Sequence, residues 1–174
     1  LALDGSISSD ASVLVATTVE DHPKIQLMAA WVPDEREGGY RVDQEAVMNK
    51  IRELFKTYDI VELVADTAHF ELPLAILSKE GYPVVAMPQN DSRMGGPTVT
   101  LFKRIKEETV SIVRDDTLTA HFLNAHFTEP QRGGKIHKGP KKQYKIDGAV
   151  AAIMATSRAL FHASQPVKRP AQMI

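Results

Sequence analysis

The sequence predicts an α/β fold: a mixed sheet covered by helices. Three strand-like segments follow one another at the start of the chain. Thereafter apolar runs of strand length alternate with segments of helical period, the pattern of parallel strands joined by helical crossovers. At 174 residues the chain has the size of one well-buried domain.

Leu1–Asp4 reads as a short apolar strand, Ser12–Val19 as a β-branched one, and Lys24–Val32 as a third that stops at Pro33. The connections are rich in Ser, Gly and Asp or contain His-Pro, so an antiparallel meander is expected. From Asp43 the period changes. Val47, Ile51, Leu54, Phe55 and Tyr58 form a helical stripe, with Asp43 as its N-cap. Ile60–Ala65 is a buried strand stopped by Asp66, and a helix through Phe70, Leu74 and Leu77 ends at Gly81. Pro83–Met87 is another strand. Gly95-Gly96-Pro97 is expected to lead into a helix carrying Phe102 and Ile105, and Val110–Val113 to be a short strand. Leu118–Phe127 reads as helix, Thr128–Tyr144 as a polar connection, and Asp147–His162 as a final alanine-rich helix.

Composition excludes several classes. Hydrophobic residues make up 43% and charged residues 25%, ordinary values for a globular protein. With 21 basic and 22 acidic residues, any nucleic-acid surface must be local. Without cysteine there are no disulfides or thiolate metal sites, which fits a reducing cytosol. No apolar run approaches the roughly 20 residues that span a bilayer, so no membrane partner is expected. No secretory leader pattern is present, and the start at a strand without Met points to a piece of a longer polypeptide.

Three aspartates stand out. Asp4 ends the first strand, Asp66 follows an otherwise apolar strand, and Asp147 opens the alanine-rich helix in KIDGAVAAIMA. In open α/β sheets the ligand crevice lies beyond the carboxyl ends of the strands. Converging carboxylates without Cys or a His pair suit Mg²⁺ or Mn²⁺, and two such ions support phosphodiester cleavage. Each aspartate has a plainer role open to it: Asp4 as a turn opener, Asp66 and Asp147 as helix caps. Their spacing alone does not show that they meet. The stretch 131–145 (QRGGKIHKGPKKQYK) holds six Lys or Arg and no acid: Arg132, Lys135, Lys138, Lys141, Lys142 and Lys145. Such a stretch is either a solvated loop or a phosphate-binding surface beside Asp147. His69, three residues after Asp66, fits a supporting or a surface role equally, and Asp10 reads as a turn residue.

LALDGSISSDASVLVA, LVADTAHF, PVVAMPQ and KIDGAVAAIMATSRA resemble, in order and spacing, the C-terminal nuclease domain of bacteriophage terminase large subunits. The resemblance implies an RNase H-like fold over residues 1–165 with a tail at 166–174. It implies a five-stranded mixed sheet, its first three strands antiparallel, flanked by helices. Asp4, Asp66 and Asp147 would be the catalytic residues and the ligands of two Mg²⁺ or Mn²⁺ ions in an endonuclease that cuts double-stranded DNA during genome packaging. The expected partners are DNA, an ATPase motor domain, the small terminase subunit and the portal of the procapsid, in the cytoplasm of an infected bacterium. No GxxxxGK[ST] phosphate loop occurs here, so the motor activity lies outside this chain. The helix-borne glutamate of cellular ribonuclease H has only weak counterparts in Glu45 or Glu53. A resolvase- or transposase-type nuclease and a non-catalytic DNA- or capsid-docking module are the alternatives. A sugar-kinase-type phosphotransferase is disfavoured, because Gly5 adjoins Asp4 and no second phosphate loop follows.

Overall fold

A computed structural model describes residues 1–6, 11–32, 41–128, 134–139 and 144–166. The predicted tail therefore lies almost wholly outside the described residues, as do Asp10, Arg132, Lys141 and Lys142.

The opening meander forms as expected. β1 (Ala2–Asp4) pairs antiparallel with β2 (Ser12–Thr17), and β2 pairs antiparallel with β3 (Lys24–Trp31). β4 (Leu63–Ala65) and β5 (Val84–Ala86) add in parallel beside β1. These five strands are the expected mixed sheet. A two-residue strand, β6 (Ser111–Ile112), extends it in parallel along β3, so the order among the described residues is β5-β4-β1-β2-β3-β6. The antiparallel strands are joined by short connections, whereas the parallel ones are reached through helices.

Helices cover both faces. α1 (Gln44–Thr57) is capped as its sequence demands: the Asp43 carboxylate accepts from the Glu45 and Ala46 amides at 3.0 and 3.1 Å. α2 (Glu71–Lys79) ends before Gly81, whose φ of 95° lets the chain reverse without a Cβ clash. Val47, Ile51, Leu54, Leu74 and Leu77 of these two helices bury one face of the sheet together with Leu3, Leu14 and Ala65. On the other face α3 (Asp91–Lys106), α4 (Asp116–Leu123) and α5 (Asp147–Ala163) pack over Ala2, Val13, Val15 and Val64. Strand alternation thus divides β1 between two cores, Leu3 to one side and Ala2 to the other.

Two expectations are corrected. α3 begins at Asp91, before Gly95-Gly96-Pro97, because the Asn90 side chain caps it by accepting from the Arg93 amide at 3.1 Å. Pro97 then sits inside the helix. Gly95 is buried there, and its carbonyl would stand 3.2 Å from a β-carbon at Gly134, which crosses over it with φ +60°. Gly95 thus serves this close crossing from within the helix. The second correction concerns residues 118–127: α4 stops at Leu123, and β7 (Ala125–Phe127) turns to pair antiparallel with β8 (Ile136–Lys138). Phe127 stacks on Phe102 of α3 with ring centroids 4.5 Å apart, and this packing with the cross-strand pairing outweighs local helix preference.

Candidate active site at the carboxyl end of the sheet

Asp4 is the last residue of β1, and Asp66 the first after β4. The parallel register pairs Ala2 with Val64 and Leu3 with Ala65, so the two aspartates come one step beyond the last paired position. Neighbouring strands run about 4.8 Å apart, which makes them close companions at the same end of the sheet. Alternation carries Asp4 to the face shared by Ala2 and α5, where it is 8% exposed. Asp66 does not cap α2, whose N-cap is Phe70. Its Oδ1 accepts instead from the Ala68 amide at 3.1 Å, closing a local turn.

α5 brings the third carboxylate. Near its C-terminus Arg158 and His162 bond Glu62, which directly precedes β4. The helix therefore runs antiparallel to β4 and β1, and its N-terminus lies over their carboxyl ends. Asp147 is the first residue of α5 and 7% exposed; Ile146, not Asp147, occupies the cap position. A carboxylate in the first turn also sits favourably at the positive end of the helix dipole.

A third strand end supplies a residue the sequence reading passed over. Gln89, just past β5, donates from Nε2 to Asp4 Oδ1 at 2.6 Å. Its place beyond a parallel strand was the available signal, the same rule that singled out Asp66. His121 carries no such signal: it is a buried side chain of α4 whose Nδ1 accepts from the Gly148 amide at 2.7 Å. Nothing in its sequence spacing points there.

The remaining candidates separate. Glu45 and Glu53 lie on α1, whose apolar stripe packs on the opposite face of the sheet from α5, and Glu53 pairs with Lys50 at 2.9 Å. The backbone at His69 has φ +75°, and its carbonyl accepts from Gln44 Nε2 at 2.9 Å. Lys145 lies two residues before Asp147, with its carbonyl held by Asn124 Nδ2 at 3.2 Å. Lys138 ends β8, and Lys135 forms an ion pair with Asp91 at the start of α3. Oxygen donors of this kind suit a hard divalent cation. Among the described residues, however, no three His, Asp or Glu side chains close into a group ready to hold a metal ion. The structure gathers Asp4, Asp66 and Asp147 at one end of the fold without drawing them into a finished coordination shell.

Solved structures share this arrangement of elements. The crystal structure of the HK97 bacteriophage large terminase superposes with a TM-score of 0.73 at 22% identity, covering 90% of this chain and 38% of that one. The large terminase nuclease from thermophilic phage G20c gives 0.70 at 16% identity, covering 90% and 79%. The fold is that of the phage large terminase nucleases. A further structure of the G20c terminase nuclease, with bound magnesium, gives 0.66 at 15% identity over 90% of this chain and 78% of its own. The chain thus spans well under half of the HK97 large terminase and most of the G20c terminase nuclease. No protein-family model matches the sequence, and no curated protein matches it. Among the described residues no helix is long and apolar enough to cross a membrane.

Proposed function

We propose that this chain is the nuclease module of a phage large terminase, an endonuclease that cuts double-stranded DNA with the help of divalent metal. The observation that carries the reading is that Asp4 and Asp66 stand one step beyond the last paired residues of adjacent parallel strands, while Asp147 opens the helix that packs on those strands. The terminase-nuclease fold and the magnesium bound by a structural neighbour support it.

In this reading the three aspartates hold two Mg²⁺ or Mn²⁺ ions. Bound there, the metal would supply an activated water and charge stabilisation for the leaving oxygen. The chain's own residues do the rest. Asp4 and Asp147 are buried residues of β1 and α5, so their positions are set by the sheet and by that helix. Gln89 holds one oxygen of Asp4. Lys135, Lys138 and Lys145, together with Arg132, Lys141 and Lys142, would neutralise phosphates and align the duplex without reading its sequence. An ATPase motor domain, the small terminase subunit and the portal are the partners of the longer protein, in the cytoplasm of the infected host.

Plasmid nicking with Mg²⁺ or Mn²⁺ tests the proposal. Wild-type protein is expected to convert supercoiled DNA to nicked and linear forms. Asp66→Ala and Asp147→Ala are expected to lose activity by at least a hundredfold while remaining folded. Full activity in either variant would remove the assignment. Preference for four-way junctions over linear duplex would move the protein to the resolvase class.

A further inference from the structure

Asp147 is the first residue of α5. The helix it opens has Ile146 at the cap position, which offers no side-chain acceptor to the first-turn amides. Two hydrogen bonds from α4 and its C-cap hold this end of α5. The His121 imidazole, 4% exposed, accepts from the Gly148 amide at 2.7 Å, so Nδ1 carries no proton. One turn along the same helix, Asn124 Nδ2 donates to the Lys145 carbonyl at 3.2 Å. The two bonds take hold of the backbone on either side of Asp147. Contact at Gly148 is tight: an added β-carbon there would stand 2.9 Å from His121 Nδ1 and 3.2 Å from Leu118 Cδ1. Glycine is therefore what lets α4 approach the helix end this closely.

We propose that His121 is a positioning residue for the carboxylate site: it caps α5 from the neighbouring helix and thereby sets where Asp147 presents its oxygens. This rests on the reading of Asp147 as a metal ligand. Residues that orient metal ligands from behind are typically worth 10- to 100-fold in metal affinity or activity.

The test measures Mn²⁺ affinity by titration calorimetry and by metal-dependent thermal stabilisation, with nicking kinetics alongside. His121→Leu removes the acceptor. His121→Asn places an amide oxygen close to where Nδ1 stood. Gly148→Ala leaves His121 in place but pushes its ring away. The expected result is 10- to 100-fold weaker Mn²⁺ binding and lower kcat in His121→Leu and Gly148→Ala, with KM for DNA little changed. His121→Asn should recover to within a few-fold of wild type. Wild-type Mn²⁺ affinity in folded His121→Leu overturns the proposal, as does equal weakening in the Leu and Asn variants. Should His121→Leu fail to fold, Gly148→Ala and His121→Asn decide in the same terms. Asp147→Asn, measured in parallel, separates the two claims: if it binds Mn²⁺ like wild type, the metal-site reading itself fails, whatever His121 does.

Discussion

A β-carbon added at Gly5 would stand 2.5 Å from Cε2 of Phe70 and 3.1 Å from the Ser12 hydroxyl, and Phe70 is a 1% exposed ring packed among Leu3, Leu74 and Leu77. The glycine after Asp4 is thus needed for clearance rather than for turning. Gly5→Ala is expected to destabilise the fold by about 1–3 kcal/mol through overpacking, read as a lower urea midpoint. An unchanged midpoint would mean that Phe70 has room to move. The local sequence Asp-Gly invited a turn reading for Asp4, and only the packing partner shows the other reason for the glycine. Asp66 and Asp147 teach the same lesson in reverse. Each has the composition of a helix cap, yet Phe70 and Ile146 occupy those cap positions.

At the scale of elements, α5 was the most legible part of the chain. Its alanines and larger apolar residues alternate with helical period, and Ala149, Ala151, Ala152, Ala155 and Ala159 are buried as that pattern requires. Small side chains let the helix lie closely on β1 and β2, which fixes the height of its N-terminus above the sheet. Ala152→Leu should force the helix outward and cost about 1–3 kcal/mol, measured by chemical denaturation. A variant as stable as wild type would mean that the helix is not closely seated. α1 was equally legible, since both its stripe and its Asp43 cap are local features. α3 was not. Gly95-Gly96-Pro97 has the chemistry of a turn, but an asparagine cap upstream and a crossing segment at Gly134 hold those residues in a helix. The β7–β8 pair was equally hidden, because its pairing and the Phe127–Phe102 stack join residues far apart in sequence.

Across the whole molecule, the end of the sheet opposite the aspartates is tied by a buried ionic cluster. Glu62, 7% exposed, is gripped by Arg158 through two nitrogens and by His162 Nε2 at 2.7 Å, and Arg158 also lies over the Phe161 ring at 4.4 Å. Burial alone would push the Glu62 carboxyl up. The hydrogen bonds from Arg158 and His162 outweigh it and hold the group below the usual carboxylate range. A carboxyl depressed in the folded state contributes stability that is present above its ordinary value and is lost as pH falls through the folded value. Glu62→Gln is therefore expected to lower stability at neutral pH by about 1–3 kcal/mol, with the gap to wild type closing in acid below the normal carboxylate range. Denaturation curves across pH check this, and a gap that stays constant with pH would assign the loss to packing instead. Because the cluster joins the C-terminal part of α5 to the lead into β4, it also sets the direction in which α5 runs.

The sequence by itself determined the alternation of strands and helices, the antiparallel opening, the capped start of α1, and the placing of Asp4 and Asp66 at strand ends. These follow from periodicity and from interactions between residues a few positions apart, which a linear chain displays openly. Only the tertiary structure decided that the ends of β1 and β4 and the start of α5 lie together, that Gln89 reaches Asp4, and that His121 holds the backbone beside Asp147. Those contacts depend on strand order and on the direction of a helix over the sheet, and distance along the chain carries no record of either.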